Sequence, residues 1–235
     1  MLAYADEGSG PAIVFLHGIS GSRDRWLPIS KRLQDQRRCV RVDLPGHGAS
    51  PPVGCDLVSA AGLVQELVDG LGLDRPLVVG HSMGANLALV HAALYGGSGT
   101  VAVDGAPFHL PDFATTIAPF RARLVGDDFT AAFSDWEQSF GAPAGIVHDV
   151  SQEVVLSYWA SILTPEAAEA AQPAFEGALS AITAPVLLLL AQDPTPQDQA
   201  VIDRMSTATV EVWRSGHFLH LVEADRFAAR LLDLT

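Results

Sequence analysis

Pro76-Leu77-Val78-Val79-Gly80-His81-Ser82-Met83-Gly84-Ala85 is an apolar run that passes straight into the pattern G-x-S-x-G, and a helical pattern follows over residues 85–95. That order places a serine at the bend between a strand and a helix. In such a bend the residues two before and two after the serine come close together, so both must be glycine. The bend lifts the hydroxyl above the sheet and aims the first free N–H groups of the helix at whatever the serine attacks. A glycine-rich turn with a capping serine is the plain alternative; the position between strand and helix favours a nucleophile.

Working outward, similar runs recur at residues 12–16 (AIVFL), 39–43 (CVRVD), 100–104 (TVAVD), 185–191 (PVLLLLA) and 209–213 (TVEVW). Most are apolar throughout rather than alternating, as expected of strands covered on both faces. Helical spacing fills residues 24–36, 57–71, 197–205 and 221–232. Alternating strands and helices predict an α/β fold, with a mostly parallel central sheet and helices on both faces. Residues 107–182 break the rhythm. They show no convincing strand, and helical patterns are interrupted by Pro111, Pro119, Pro143, Pro165 and Pro173. The expected organisation is a core of residues 1–106 and 183–235, with residues 107–182 a helical cap inserted between two late strands. Ten of the chain's 17 aromatic residues fall in that insertion, which suggests an apolar wall over a pocket. Phe108, Phe113, Trp136 and Trp159, with Phe218 from the last loop, are the candidate lining residues.

The chain has 235 residues, 49% of them hydrophobic and 17% charged, enough for a sizeable core. Lys and Arg number 14 and Asp and Glu 27, a net charge of −13 that argues against nucleic acid and against an anionic membrane surface. Cys39 and Cys55 provide neither a metal spacing nor a disulfide framework. The first ten residues carry no basic stretch and no apolar stretch, and the longest apolar run is too short to cross a bilayer. A cytoplasmic location is expected. The expected partner is a small-molecule substrate, acted on by a monomer or small homo-oligomer without metal or cofactor.

Three further stretches carry chemistry. In Phe15-Leu16-His17-Gly18-Ile19-Ser20-Gly21 a flexible loop after a strand can turn a backbone N–H toward Ser82, so Ile19 and Met83 are the candidate donors of an oxyanion hole. The His17 side chain reads as structural. In Arg214-Ser215-Gly216-His217-Phe218-Leu219-His220 a loop after the last strand presents His217 as a general base; His220, where a helix starts, reads as packing or capping. Ala191-Gln192-Asp193-Pro194 ends a strand, and Asp193 is the preferred carboxylate to orient the imidazole. Asp104, at the end of the run 100–104, is its rival, and Asp198 a third.

With these residues on the page, the chain resembles the serine-nucleophile, esterase-like members of the α/β-hydrolase superfamily that carry a helical cap. The matching elements are His17-Gly18-Ile19, Asp43-Leu44-Pro45-Gly46-His47-Gly48-Ala49-Ser50, Gly80-His81-Ser82-Met83-Gly84, Asp193 and Gly216-His217. The resemblance implies Ser82 as nucleophile, Asp193 as acid, His217 as base, Ile19 and Met83 as the oxyanion hole, and no cofactor. It implies hydrolysis of small to medium, mainly apolar esters or lactones through an acyl-enzyme. Other chemistries of this superfamily are weighed on the same positions. An aspartate nucleophile is excluded by Ser82, a cap lysine by the position of the one lysine, Lys31, and the menaquinone-pathway synthase has Arg where this chain has Asn86. A carbon–carbon bond hydrolase of ring-cleavage products, with Arg121 or Arg123 holding a carboxylate, and a ligand-sensing receptor that keeps the triad are the alternatives. The chain departs from the family at two places: the antiparallel strand that precedes residues 2–5 is absent or reduced, and Ala191 stands in a shorter turn where the family has Gly before the acid.

Overall fold

The computed structural model describes residues 1–105, 108–141 and 150–234. The expected boundary at 106/107 falls outside the described residues. Seven strands form one sheet in the order β1-β3-β2-β4-β5-β6-β7. They are β1 (Tyr4–Glu7), β2 (Ala12–Leu16), β3 (Arg38–Val42), β4 (Leu77–His81), β5 (Gly99–Val103), β6 (Val186–Leu190) and β7 (Ala208–Val212). All pairings are parallel except that of β1 with β3, where Tyr4 faces Val42 and Glu7 faces Cys39. The sheet therefore ends at a short antiparallel edge strand. Arg38, bonded to Asp6, covers that edge with charge.

Two apolar layers explain why the strands read as unbroken hydrophobic runs. Ile13, Phe15, Leu77, Val79, Val101, Val103, Leu187 and Leu189 point to one face. There they meet Trp26 in a 3₁₀ turn, Ile29 and Leu33 of α1 (Leu27–Leu33), and Phe227 and Leu231 of α10 (Ala224–Leu232). The residues between them, such as Val14, Leu16, Val40 and Val78, point to the other face, against α2 (Leu57–Gly70) and α3 (Met83–Tyr95). Ala102, Leu188 and Leu190 continue this layer toward α8 (Pro196–Ile202). The period of two is present, but both of its phases are buried.

Among the described residues between β5 and β6 stand four helices: α4 (Leu110–Leu124), α5 (Phe129–Gln138), α6 (Gln152–Trp159) and α7 (Pro165–Ser180). They form the cap. Phe113, Phe133, Trp136 and Trp159 pack ring against ring at centroid separations of 4.9–6.5 Å. Tyr158 ties the cap to the core by donating to the Pro45 carbonyl at 3.3 Å. After β7, a short helix α9 (Leu219–Val222) precedes α10. No helix among the described residues is long and apolar enough to cross a membrane.

Candidate active site

β4 ends at His81, and Ser82 follows with φ 55° and ψ −122°, a conformation side chains rarely adopt. The bend is tight: a Cβ on Gly80 would stand 1.9 Å from the Gly84 carbonyl oxygen, and one on Gly84 would stand 2.4 Å from the Leu16 oxygen. Both glycines of the pattern are thus required by close backbone approach. Ser82 N–H donates to the Val103 carbonyl of β5 at 2.9 Å, which anchors the strained residue to the sheet.

His217 lies in the loop after β7, half-buried, and lines the same cavity as Ser82. Its Nδ1–H donates to Asp104 Oδ2 at 2.7 Å. Asp104 follows β5 with φ 44°; its amide donates to the Leu189 carbonyl, and its Oδ1 accepts from Ala191 N–H at 2.8 Å. This corrects the expectation for Asp193. Asp193 sits beyond the short turn after β6 and faces solvent, where it pairs with Arg214 at 2.7 Å. The strand-end carboxylate that reaches the imidazole is one strand earlier. Asp198 is engaged elsewhere, accepting from His109 N–H and from the Thr195 hydroxyl.

The loop after β2 is fixed by histidines. His17 Nε2 accepts from Leu44 N–H, so Nδ1 carries the proton and donates to the Gly18 carbonyl at 2.7 Å. Gly21 N–H donates to the same oxygen. In a trans peptide the N–H lies opposite the C=O, so this pair of bonds turns Ile19 N–H away from the loop interior. Gly18 packs against the elbow: a Cβ there would stand 3.1 Å from Ser82 Cβ. His47 Nε2 holds the Ile19 carbonyl at 2.6 Å. Burial keeps both His17 and His47 below the usual imidazole range. Met83, the first residue of α3, has an amide with no partner inside the helix.

A cavity of about 520 Å³ opens beside Ser82, with Phe108, Phe113, Trp136 and Trp159 in its wall. A recess of about 30 Å³ adjoins it at Ser82 and His217, bounded by Arg25, His81, Glu137 and Phe218. Three of these residues, Arg25, His81 and Glu137, went unnoticed in the sequence. His81 donates from Nε2 to the His217 carbonyl at 2.9 Å, and its ring lies tilted against the His217 ring with centroids 4.6 Å apart. Its position inside G-x-S-x-G gave no warning. Glu137 of α5 is buried, and its carboxyl is raised to about 7, chiefly by burial, against the lowering effect of a Ser20 hydrogen bond and of Arg25. A signal for Glu137 did exist: Phe133, Trp136, Glu137 and Phe140 follow i, i+3, i+4, i+7, the spacing of one apolar face. His220 is buried against Trp26 and His81, a packing residue. Among the described residues no group of three or more His, Cys, Asp or Glu is placed to hold a metal.

Residues 13–230 match the model of the alpha/beta hydrolase family. The chain is 42% identical over 88 residues to the dihydrolipoyllysine-residue acetyltransferase component of the acetoin cleaving system of Cupriavidus necator, covering 36% of this chain and 24% of that protein. It thus spans about a quarter of that relative. It is 27% identical over 242 residues to the 2-succinyl-6-hydroxy-2,4-cyclohexadiene-1-carboxylate synthase of Serratia proteamaculans, covering 96% of this chain and 93% of the relative. Among solved structures, an esterase from Exiguobacterium antarcticum superposes with a TM-score of 0.75 at 20% identity, over 99% of this chain and 94% of the esterase.

Proposed function

The chain belongs to the alpha/beta hydrolase family, and from that premise we propose that it is a carboxylic ester hydrolase working through an acyl-enzyme on Ser82. His217 takes the Ser82 proton at Nε2 as the hydroxyl oxygen attacks the acyl carbonyl. The C=O electron pair moves to oxygen, and the resulting oxyanion is met by the N–H groups of Ile19 and Met83. The imidazolium protonates the leaving alcohol as the C–O bond breaks. Water, deprotonated by the same nitrogen, then releases the acid and restores the serine. Asp104 keeps Nδ1 protonated throughout. The observation that carries this reading is the strained Ser82 sharing a cavity with a histidine whose far nitrogen is held by a carboxylate.

The aromatic cap over a cavity of this size suits small to medium, mainly apolar esters or lactones. The acidic chain offers nothing to nucleic acid in this reading. Turnover of p-nitrophenyl acetate and butyrate tests it. Many turnovers per chain are expected, and Ser82→Ala should lower kcat by about a thousandfold or more. Full activity in Ser82→Ala, or one covalent modification without release, would overturn the proposal, the second outcome in favour of a ligand-sensing receptor.

A further inference from the structure

Asn86 lies one turn beyond Ser82 on α3, and its side chain lines the larger cavity together with Ser82 and Met83. It is 5% exposed. Its Oδ1 is sealed from solvent with no hydrogen-bond partner among the described residues. The oxygen lies against Gly105, where a Cβ would stand 2.6 Å away. Only glycine leaves the carboxamide its place. The amide nitrogen is not among the sealed atoms, so with the oxygen turned to Gly105 the NH₂ group faces the cavity. Several other polar side chains of this wall are engaged: the Tyr158 hydroxyl with Pro45, Thr116 with Asp112, Asp198 with His109 and Thr195, and Asp104 with Ala191 and His217.

A buried amide without a partner destabilises the folded chain, whereas a leucine of similar volume at the same place would not. The sealed oxygen stays unpaired with or without a ligand, and the NH₂ group on the cavity side is the part of the amide that a ligand can complete. We infer that Asn86 determines specificity: its carboxamide donates a hydrogen bond to an acceptor oxygen on the acyl chain of the substrate. One helical turn separates it from Ser82, about 5.4 Å, so the oxygen belongs a few bonds beyond the carbonyl that the serine attacks. The substrate class is then oxo- or amido-acyl esters and lactones rather than plain alkanoyl esters. The inference rests on the serine-hydrolase reading.

The test compares the p-nitrophenyl esters of 4-oxopentanoic and pentanoic acid, which have the same chain length. On native protein, Asn86→Leu and Asn86→Ala, kcat/KM is measured for both esters on each preparation, so the folded fraction cancels from their ratio. The oxo-to-alkyl ratio of the native protein should exceed that of either variant by about tenfold. A ratio that the substitutions leave unchanged would overturn the inference alone. Native protein that turns over neither ester would remove the hydrolase reading and this inference with it.

Discussion

His217 can act as a base only while its proton sits on Nδ1, because Nε2 must then offer a lone pair to Ser82. Asp104 Oδ2, 2.7 Å from Nδ1, selects that tautomer, and Ala191 N–H fixes the other carboxylate oxygen. In Asp104→Asn the amide oxygen can keep the Ala191 bond while its NH₂ faces Nδ1. The imidazole must then accept at Nδ1 and carry its proton on Nε2, where it cannot take another. The expected result is a fall in kcat of about a thousandfold or more with little change in KM. Asp193→Asn removes an exposed pair with Arg214 and should leave kcat within about threefold. Steady-state kinetics on p-nitrophenyl butyrate decides between them, and the opposite ranking would return the acid role to Asp193. Ser82 and His217 were legible because a short local pattern sets each one: glycines around a bend, and a glycine before a histidine at a strand end. The acid was not, because two neighbouring strands both end near an aspartate. The choice turns on the reach of a single turn, which Ala191 shortens.

Among the elements, α5 brings Trp136 and Glu137 to the recess beside Ser82 and His217. Its apolar face seals the cavity, and Glu137 sits on that face beside Ser20 and Arg25. A carboxyl raised from about 4.5 in the unfolded chain to about 7 in the folded one holds its proton longer when folded. Between those values the native state binds more protons than the unfolded state, so the stability contributed by this group falls as pH rises. Glu137→Gln removes the dependence and retains an oxygen to accept from Ser20. The variant should melt at the same temperature as the native protein near pH 4.5 and higher, by a few degrees, at pH 8. Thermal melts of both proteins across that range check it; a gap that stays constant would show that ionisation of Glu137 has no part in cap docking. The helices between β5 and β6 and their aromatic side chains were readable from the sequence. The polar contacts that seat the cap join residues far apart in the chain, as Tyr158 and Pro45 do, and no local pattern announces them.

At the scale of the whole molecule, six of the seven strands stood out in the sequence: β2 to β6 because burial on both faces leaves an apolar run, and β7, a part-buried edge strand, through Thr209, Val210, Val212 and Trp213. β1 did not, because Tyr4-Ala5-Asp6-Glu7 is an edge strand, with alternate residues exposed and two carboxylates. Around the sheet the fold also buries histidines to an unusual degree. Of the chain's eight, His17, His47, His81, His91 and His220 are all held below the usual range, mainly by burial, His91 at about 4 and His220 at about 3. Each takes up its proton near pH 6.5 when unfolded and only at lower pH when folded. Below pH 6.5 the unfolded state therefore binds more protons, and stability is lost as pH falls, by up to ~1.4 kcal/mol per pH unit for each such histidine. Glu137 acts in the opposite sense over part of this range, but as one group against five. The protein should hold its melting temperature from pH 8 to 6.5 and lose it progressively as pH falls further. Urea titrations at half-unit pH steps would give the number of protons taken up on unfolding from the slope. A value near zero between pH 6.5 and 5 would mean that these imidazoles are protonated in the native state, contrary to the hydrogen bond that His17 Nε2 accepts from Leu44 N–H.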